Sequence, residues 1–207
     1  MSSYQVLAAT SEALRDILWD AYNADTVLRP IVGNKQAIVF SNPTETARDS
    51  ANRISLWLYQ VTENEFLKNQ PATRGNSHQS LQETPLALNL FFLVTPFGPS
   101  GGADHLLLGL TMQALYDNAI IRLPDSAGGQ GEELRVIFSR LSLEELTLIW
   151  QALREPYRLS VCYQVRVTRI DSRRTMQHAR AVTVHNDLGI KPVSNESDAN
   201  ELPDRTL

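Results

Sequence analysis

The 207-residue chain has a single cysteine, Cys162, so no disulfide can form within it. One thiol without a partner fits a reducing compartment, or a particle assembled in one. No apolar run approaches the ~18 residues that a membrane span needs. The first stretch, MSSYQVLAATSEALRDIL, lacks the basic start of an export signal. It carries Glu12, Arg15 and Asp16 inside its apolar pattern, and so reads as a helix. Basic charge is not in excess either. A net charge of -4 and a pI of about 5.6 give no global reason to expect nucleic acid.

Catalytic motifs are missing too. There is no phosphate-binding GxxxxGK, no HExxH, no GxSxG and no CxxC. The glycine-rich pieces GPSGG and GGQG lack the lysine and the strand-to-helix context of a phosphate cradle, and read as turns. The histidines at 78, 105, 178 and 185 are scattered, and none has a ligand partner three or four residues away. No metal and no cofactor is expected. Cys162 sits mid-strand with no neighbouring His or cationic environment to activate it.

What the chain does have is a legible stretch from Leu141 to Ile170, LSLEELTLIWQALREPYRLSVCYQVRVTRI. Ser142 and Glu145 form a capping box, with Leu141 and Leu146 at staple positions. Leu143, Leu146, Ile149, Trp150 and Leu153 recur at helical spacing. Pro156 stops the helix. From Tyr157 to Thr168 the period is two, which predicts one strand of roughly 40 Å in the middle of a sheet. Its even-numbered side carries Arg158, Ser160, Cys162, Gln164, Arg166 and Thr168.

Elsewhere the pattern predicts a helix over 4–23, capped by Ser2 or Ser3, with Val6, Leu7, Leu14, Ile17, Leu18 and Tyr22 inward. Strands are expected at 37–40, 53–61, 86–95 and 134–139, and a helix at 103–118 with Leu106, Leu107, Leu110, Ala114 and Leu115 buried. Strand 53–61 is apolar on both faces, with Ile54, Leu56 and Leu58 on one and Trp57, Tyr59 and Val61 on the other. Both faces should therefore be covered, by helices or by a neighbouring subunit. Residues 63–85 read as a long polar loop. Past Ile170 arginines 169, 173, 174 and 180 cluster, 181–185 could add a short strand, and the chain from Asn186 is polar and acidic. The residues alone describe a soluble α/β domain of residues 1–171, a polar extension of 172–207, and surplus apolar surface that favours assembly.

Four pieces in order also resemble a known family. They are YQVLAATSEALRDILW, ISLWLYQVTENEFLKN, PLALNLFFLVTPFG with HLLLGLTMQALYDN, and the SLEEL to PYRLSVCYQV block. The chain is similar here to the tail-terminator or cap proteins of extracellular contractile injection systems, the phage-tail-like particles related to the antifeeding prophage and virulence-cassette needles. The resemblance implies an α+β fold with a mixed, largely antiparallel sheet flanked by helices. It implies a non-enzymatic, homohexameric ring that sits on the inner tube and sheath, stops polymerisation and fixes length. Such a particle would be assembled in the bacterial cytoplasm and released, and would bind neither nucleic acid nor membrane. A baseplate or tube-sheath adaptor is the alternative role in the same machine, and a small hydrolase using loop 63–85 the alternative outside it. Candidate contacts with subunit, sheath or tube are Trp57, Tyr59, Arg158, Gln164, Arg166, Arg173 and Arg174.

Overall fold

A computed structural model describes residues 4–67, 73–74, 80–82, 85–123, 132–170 and 175–177. The chain opens with α1 (Val6–Ala24), a short α2 (Arg29–Val32) and a 3-10 turn at Lys35–Ala37. Strand β1 (Ile38–Val39), helix α3 (Pro43–Thr46) and strand β2 (Ile54–Glu63) follow. Next come β3 (Thr73–Arg74), β4 (Ser80–Gln82), β5 (Leu86–Pro96), α4 (Gly101–Asp117), β6 (Ile120–Leu123) and β7 (Glu132–Ser139). Helix α5 (Leu143–Leu153), β8 (Val161–Ile170) and β9 (Thr175–Gln177) complete the described elements.

The main sheet has six strands in the order β1-β2-β5-β8-β7-β6, and only the β1–β2 pair is parallel. The expected mixed, mostly antiparallel sheet with helices is therefore what forms. Strands β5 and β8 lie at its centre, as the apolar run of one and the length of the other predict. A separate three-stranded sheet joins β3, β4 and β9.

One face of the main sheet makes the core. Ile54 and Leu56 of β2, Leu90, Phe92 and Val94 of β5, Leu134 and Val136 of β7, and Tyr163 and Val165 of β8 all point into it. Helices α1 and α4 close it with Leu14, Leu18, Tyr22, Leu107 and Leu115. Burial pushes the Tyr163 phenol up to about 12. Polar side chains on this layer are paired, as burial requires. Thr10 and Ser11 donate to the Val6 and Leu7 carbonyls at 2.8 and 3.2 Å. The Tyr22 hydroxyl meets Thr111 Oγ1 at 2.5 Å, tying α1 to α4.

Several expectations need correction. The strand predicted from Tyr157 begins only at Val161, because the ladder with β5 ends at the Val94–Val161 pair. Residues 156–160 have no strand partner, and Pro156 cannot donate to one. Strand β6, with the sequence IIRL, was too short to show a period. The loop read at 63–85 contains β3 and β4, whose pairing partner β9 lies far along the chain, where no local pattern can signal it. Leu106 is 53 % exposed rather than buried, because α4 is apolar on more than one side and periodicity does not choose between them. The caps proposed at Ser2 and Ser3, the glycines at 128–131, the run 181–185 and the tail from Asn186 lie outside the described residues.

Candidate assembly surface

Of the candidate residues, Trp57, Tyr59, Gln164 and Arg166 lie on the face of the sheet opposite α1 and α4. In β2 this face carries Ser55 and Trp57, in β5 Phe91, Leu93 and Thr95, in β8 Cys162, Gln164 and Arg166, and in β7 Arg135 and Ile137. Its upper part is closed. Ser55, Leu93, Thr95, Ser160 and Cys162 are all buried. Thr95 Oγ1 donates to Ser160 Oγ at 3.2 Å, and Ser160 Oγ donates to the Arg158 carbonyl at 2.8 Å.

A β-bulge at Tyr59 decides what β2 presents. Leu58 pairs with Phe92 and Gln60 with Phe91, so Tyr59 is the extra residue. Below the bulge the alternation shifts by one. Val61, expected beside Trp57 and Tyr59, instead opposes the core residue Leu90 and stays 43 % exposed. Trp57, Tyr59 and Phe91 form a tilted aromatic row, with centroids 6.0 and 6.3 Å apart. All three are half-buried. Tyr59 and Cys162 also meet, with their O and S atoms 3.2 Å apart. Burial, helped by that contact and by the Glu145 carboxylate, pushes the Tyr59 phenol well above its ordinary value. Burial likewise raises the Cys162 thiol. Both groups are therefore held neutral.

Further along the strands, the face opens. Gln164 is half-buried opposite Phe91 and Ile137. Arg166 is exposed and lies directly opposite Arg135, itself exposed and reaching Glu133 only at 3.9 Å. Two like charges in one cross-strand pair are unfavourable unless an anion approaches. The outer edge of β2 is also open among the described residues, because β1 pairs with it only at Ile54 and Ser55.

Arg158 does not belong to this group. It stands before the strand, stacked over the Phe97 ring at 4.6 Å and 3.8 Å from Asp104. Arg173 and Arg174 lie outside the described residues.

The surface that sequence reasoning missed is on α5. The capping box forms as expected: Ser142 N donates to Glu145 at 2.7 Å, and Glu145 N to Ser142 Oγ at 3.2 Å. These bonds hold the Glu145 carboxyl below its ordinary value. Arg154 ends the helix in the left-handed region at φ 57°. Yet of the five apolar residues at helical spacing only Trp150 is fully buried, and Leu143 is 66 % exposed. Leu148 is 58 % exposed, and Phe138, Tyr157 and Leu159 on the flanking segments are exposed too. The helical spacing was a correct signal of an apolar side, but the chain itself covers only part of it. Among the described residues no cluster of His, Cys, Asp and Glu can hold a metal, and no helix is long and apolar enough to cross a membrane.

Solved structures share this mixed, mostly antiparallel sheet with helices. One is the sheath/tube terminator of an extracellular contractile injection system, in its extended state, with a TM-score of 0.61 and 22 % identity. The match covers 86 % of this chain and 60 % of that one. Another is the tube-terminating cap of the anti-feeding prophage, with a TM-score of 0.56 and 18 % identity over 84 % of this chain and 59 % of that one. The chain thus spans about three fifths of the length of the terminators it matches. No curated protein matches the sequence. The sequence model of the Pvc16 N-terminal domain matches residues 9–184, and the chain belongs to that family.

Proposed function

We propose that this chain is a structural terminator of a contractile injection particle. It forms a homohexameric ring on the end of the inner tube and sheath, stops their polymerisation and so fixes length. Membership of the Pvc16 N-terminal domain family over residues 9–184 carries this reading, because solved chains of the same fold are sheath/tube terminators. No catalytic step is assigned to it. The particle is assembled in the cytoplasm and then released.

The incompletely covered surfaces support a ring. A cyclic ring needs two different patches that meet on adjacent subunits. The exposed leucines of α5 are one candidate. The other is the open sheet face with Trp57, Tyr59, Gln164 and Arg166. The paired arginines 135 and 166 suit an acidic surface on a neighbour, and we place Arg173, Arg174 and the 172–207 extension at contacts with the sheath.

Electron microscopy of particles lacking this protein tests the reading. Tubes of uncontrolled length are expected, and particles of normal length without it would refute the terminator role. Normal length with a missing baseplate would support the adaptor role instead. The purified chain is expected to sediment as a ring of six 23.2 kDa subunits.

A further inference from the structure

Two oppositely charged surfaces are unmatched among the described residues, and they lie on opposite sides of the main sheet. The first is on the open sheet face. Arg135 of β7 and Arg166 of β8 stand directly opposite each other, both exposed. Arg122 of β6 pairs with Glu133, two residues from Arg135, and so faces the same way. Glu133 reaches Arg122 and Arg135 only at 4.0 and 3.9 Å. Among the described residues no other carboxylate comes within ion-pair range of these three arginines.

The second surface is a hollow of about 330 Å³ between α1 and α4, on the helix side of the sheet. Ile17 and Leu110 line it with apolar surface, and each helix brings one exposed carboxylate, Asp20 from α1 and Asp117 from α4. Lys35 is taken by Asp16, one turn before Asp20. Among the described residues neither Asp20 nor Asp117 is in an ion pair.

We infer that the acidic hollow of one copy receives the arginine face of the next, so that Asp20 and Asp117 of one subunit meet Arg135 and Arg166 of its neighbour. This deepens the ring reading and rests on it. Three observations select a second copy of this chain. The two surfaces are complementary in charge, and each lacks a matching set of its own. They also suit each other in form, since exposed guanidinium groups on long side chains meet carboxylates that line a hollow. Finally, surfaces on opposite sides of one sheet cannot meet within one chain. Joining two copies leaves one surface of each kind free, so the contact is head to tail and repeats until a ring closes. An unrelated acidic partner would satisfy the arginines and leave the aspartates unmatched.

Charge reversal in pairs tests the contact. Asp20→Lys with Asp117→Lys makes both surfaces basic, and Arg135→Glu with Arg166→Glu makes both acidic. All four side chains are exposed, so each double variant should keep the wild-type circular-dichroism spectrum. Each alone should associate at least about 100-fold more weakly than wild type at low salt, because like charges then face each other. Mixed one to one, the two variants should recover rings in sedimentation velocity, alternating around the ring, since every contact again joins opposite charges. A variant that had failed to fold could not give this recovery. If either variant alone forms rings as wild type does, or if the mixture stays dissociated, the two surfaces do not meet. If the arginine variant forms normal rings and instead loses binding to the purified sheath or tube subunit, the arginine face belongs to that partner and the inference is overturned. If the wild-type chain itself stays monomeric, this contact falls with the ring. The length of particles lacking the protein still decides the terminator role by a separate measurement.

Discussion

Replacing Leu143 and Leu148 together by glutamine separates a folding role of α5 from an assembly role. These side chains are 66 % and 58 % exposed, so the isolated chain gains little from them. Full burial of a leucine is worth about 1.5–3 kcal/mol. The portion still in water is then worth about 1–2 kcal/mol per residue once a neighbour covers it. Glutamine has nearly the helix propensity of leucine, so the helix itself should persist. The double variant should lose about 1–2 kcal/mol of monomer stability, which for a chain of this size lowers the melting temperature by about 2–8 °C. Each subunit interface should lose about 2–4 kcal/mol, which weakens association by about 30- to 1,000-fold. Sedimentation velocity at one fixed concentration, paired with a thermal melt, reads both numbers. Rings that persist undiminished would show that α5 faces solvent in the assembly, and the argument from its exposed leucines would be wrong.

Other substitutions test the fold that carries this surface. Tyr22→Phe removes the hydroxyl that meets Thr111 at 2.5 Å. Thr111 keeps its own bond to the Leu107 carbonyl at 2.8 Å, so the expected cost is only about 0.5–1.5 kcal/mol in chemical denaturation. Gly33 sits at φ +76° with nothing within 4 Å of a built Cβ. Gly33→Ala should therefore cost about 1–3 kcal/mol from backbone strain alone, and a neutral result would mean the turn re-forms differently. Cys162 should resist thiol reagents in the native state at neutral pH and react fully on unfolding, since burial raises its pKa and keeps it protonated. Rapid native labelling would contradict that environment.

Some parts of this fold were legible because their signals are local. The capping box of Ser142 and Glu145, the apolar run of β5 and the stripe of α1 each lie within a few turns of chain, and each forms where the pattern puts it. Other parts depend on pairing between distant residues. The bulge at Tyr59 moves Val61 to the other face, and an uninterrupted period-two reading of ISLWLYQV cannot show it. Arg158 continues the alternation of the strand in sequence, but the Phe97 ring and Asp104 take it out of the strand's polar face. Leu143 fits the helical spacing of α5 and is still 66 % exposed, because periodicity identifies an apolar side of a helix, not the molecule that covers it. The site candidates divided in the same way. Gln164 and Arg166 share a face because they are two apart in one strand, whereas the place of Tyr59 depends on a bulge and on its contact with the distant Cys162.

The same sheet face bears on the choice between a hydrolase and an assembly protein. A cysteine nucleophile needs a thiolate, and therefore a cation or a base beside it. Its hydrogen-bonding neighbours are the Tyr59 hydroxyl at 3.2 Å and Ser139, neither of them a base or a cation, and burial holds Tyr59 and Cys162 in their neutral forms. Neither group can activate the other, so their contact is packing that seals the upper part of the face. Beyond that seal the polar residues change character. Arg135 and Arg166 stand opposed across the strands, exposed and without a close carboxylate between them. A substrate pocket would wrap such a pair in walls, but here both side chains are exposed. The proposed contact with another folded surface is consistent with this exposed, basic, partly aromatic face and with the edge of β2 that is unpaired among the described residues. On that reading an acidic patch on the neighbouring surface would face the opposed arginines.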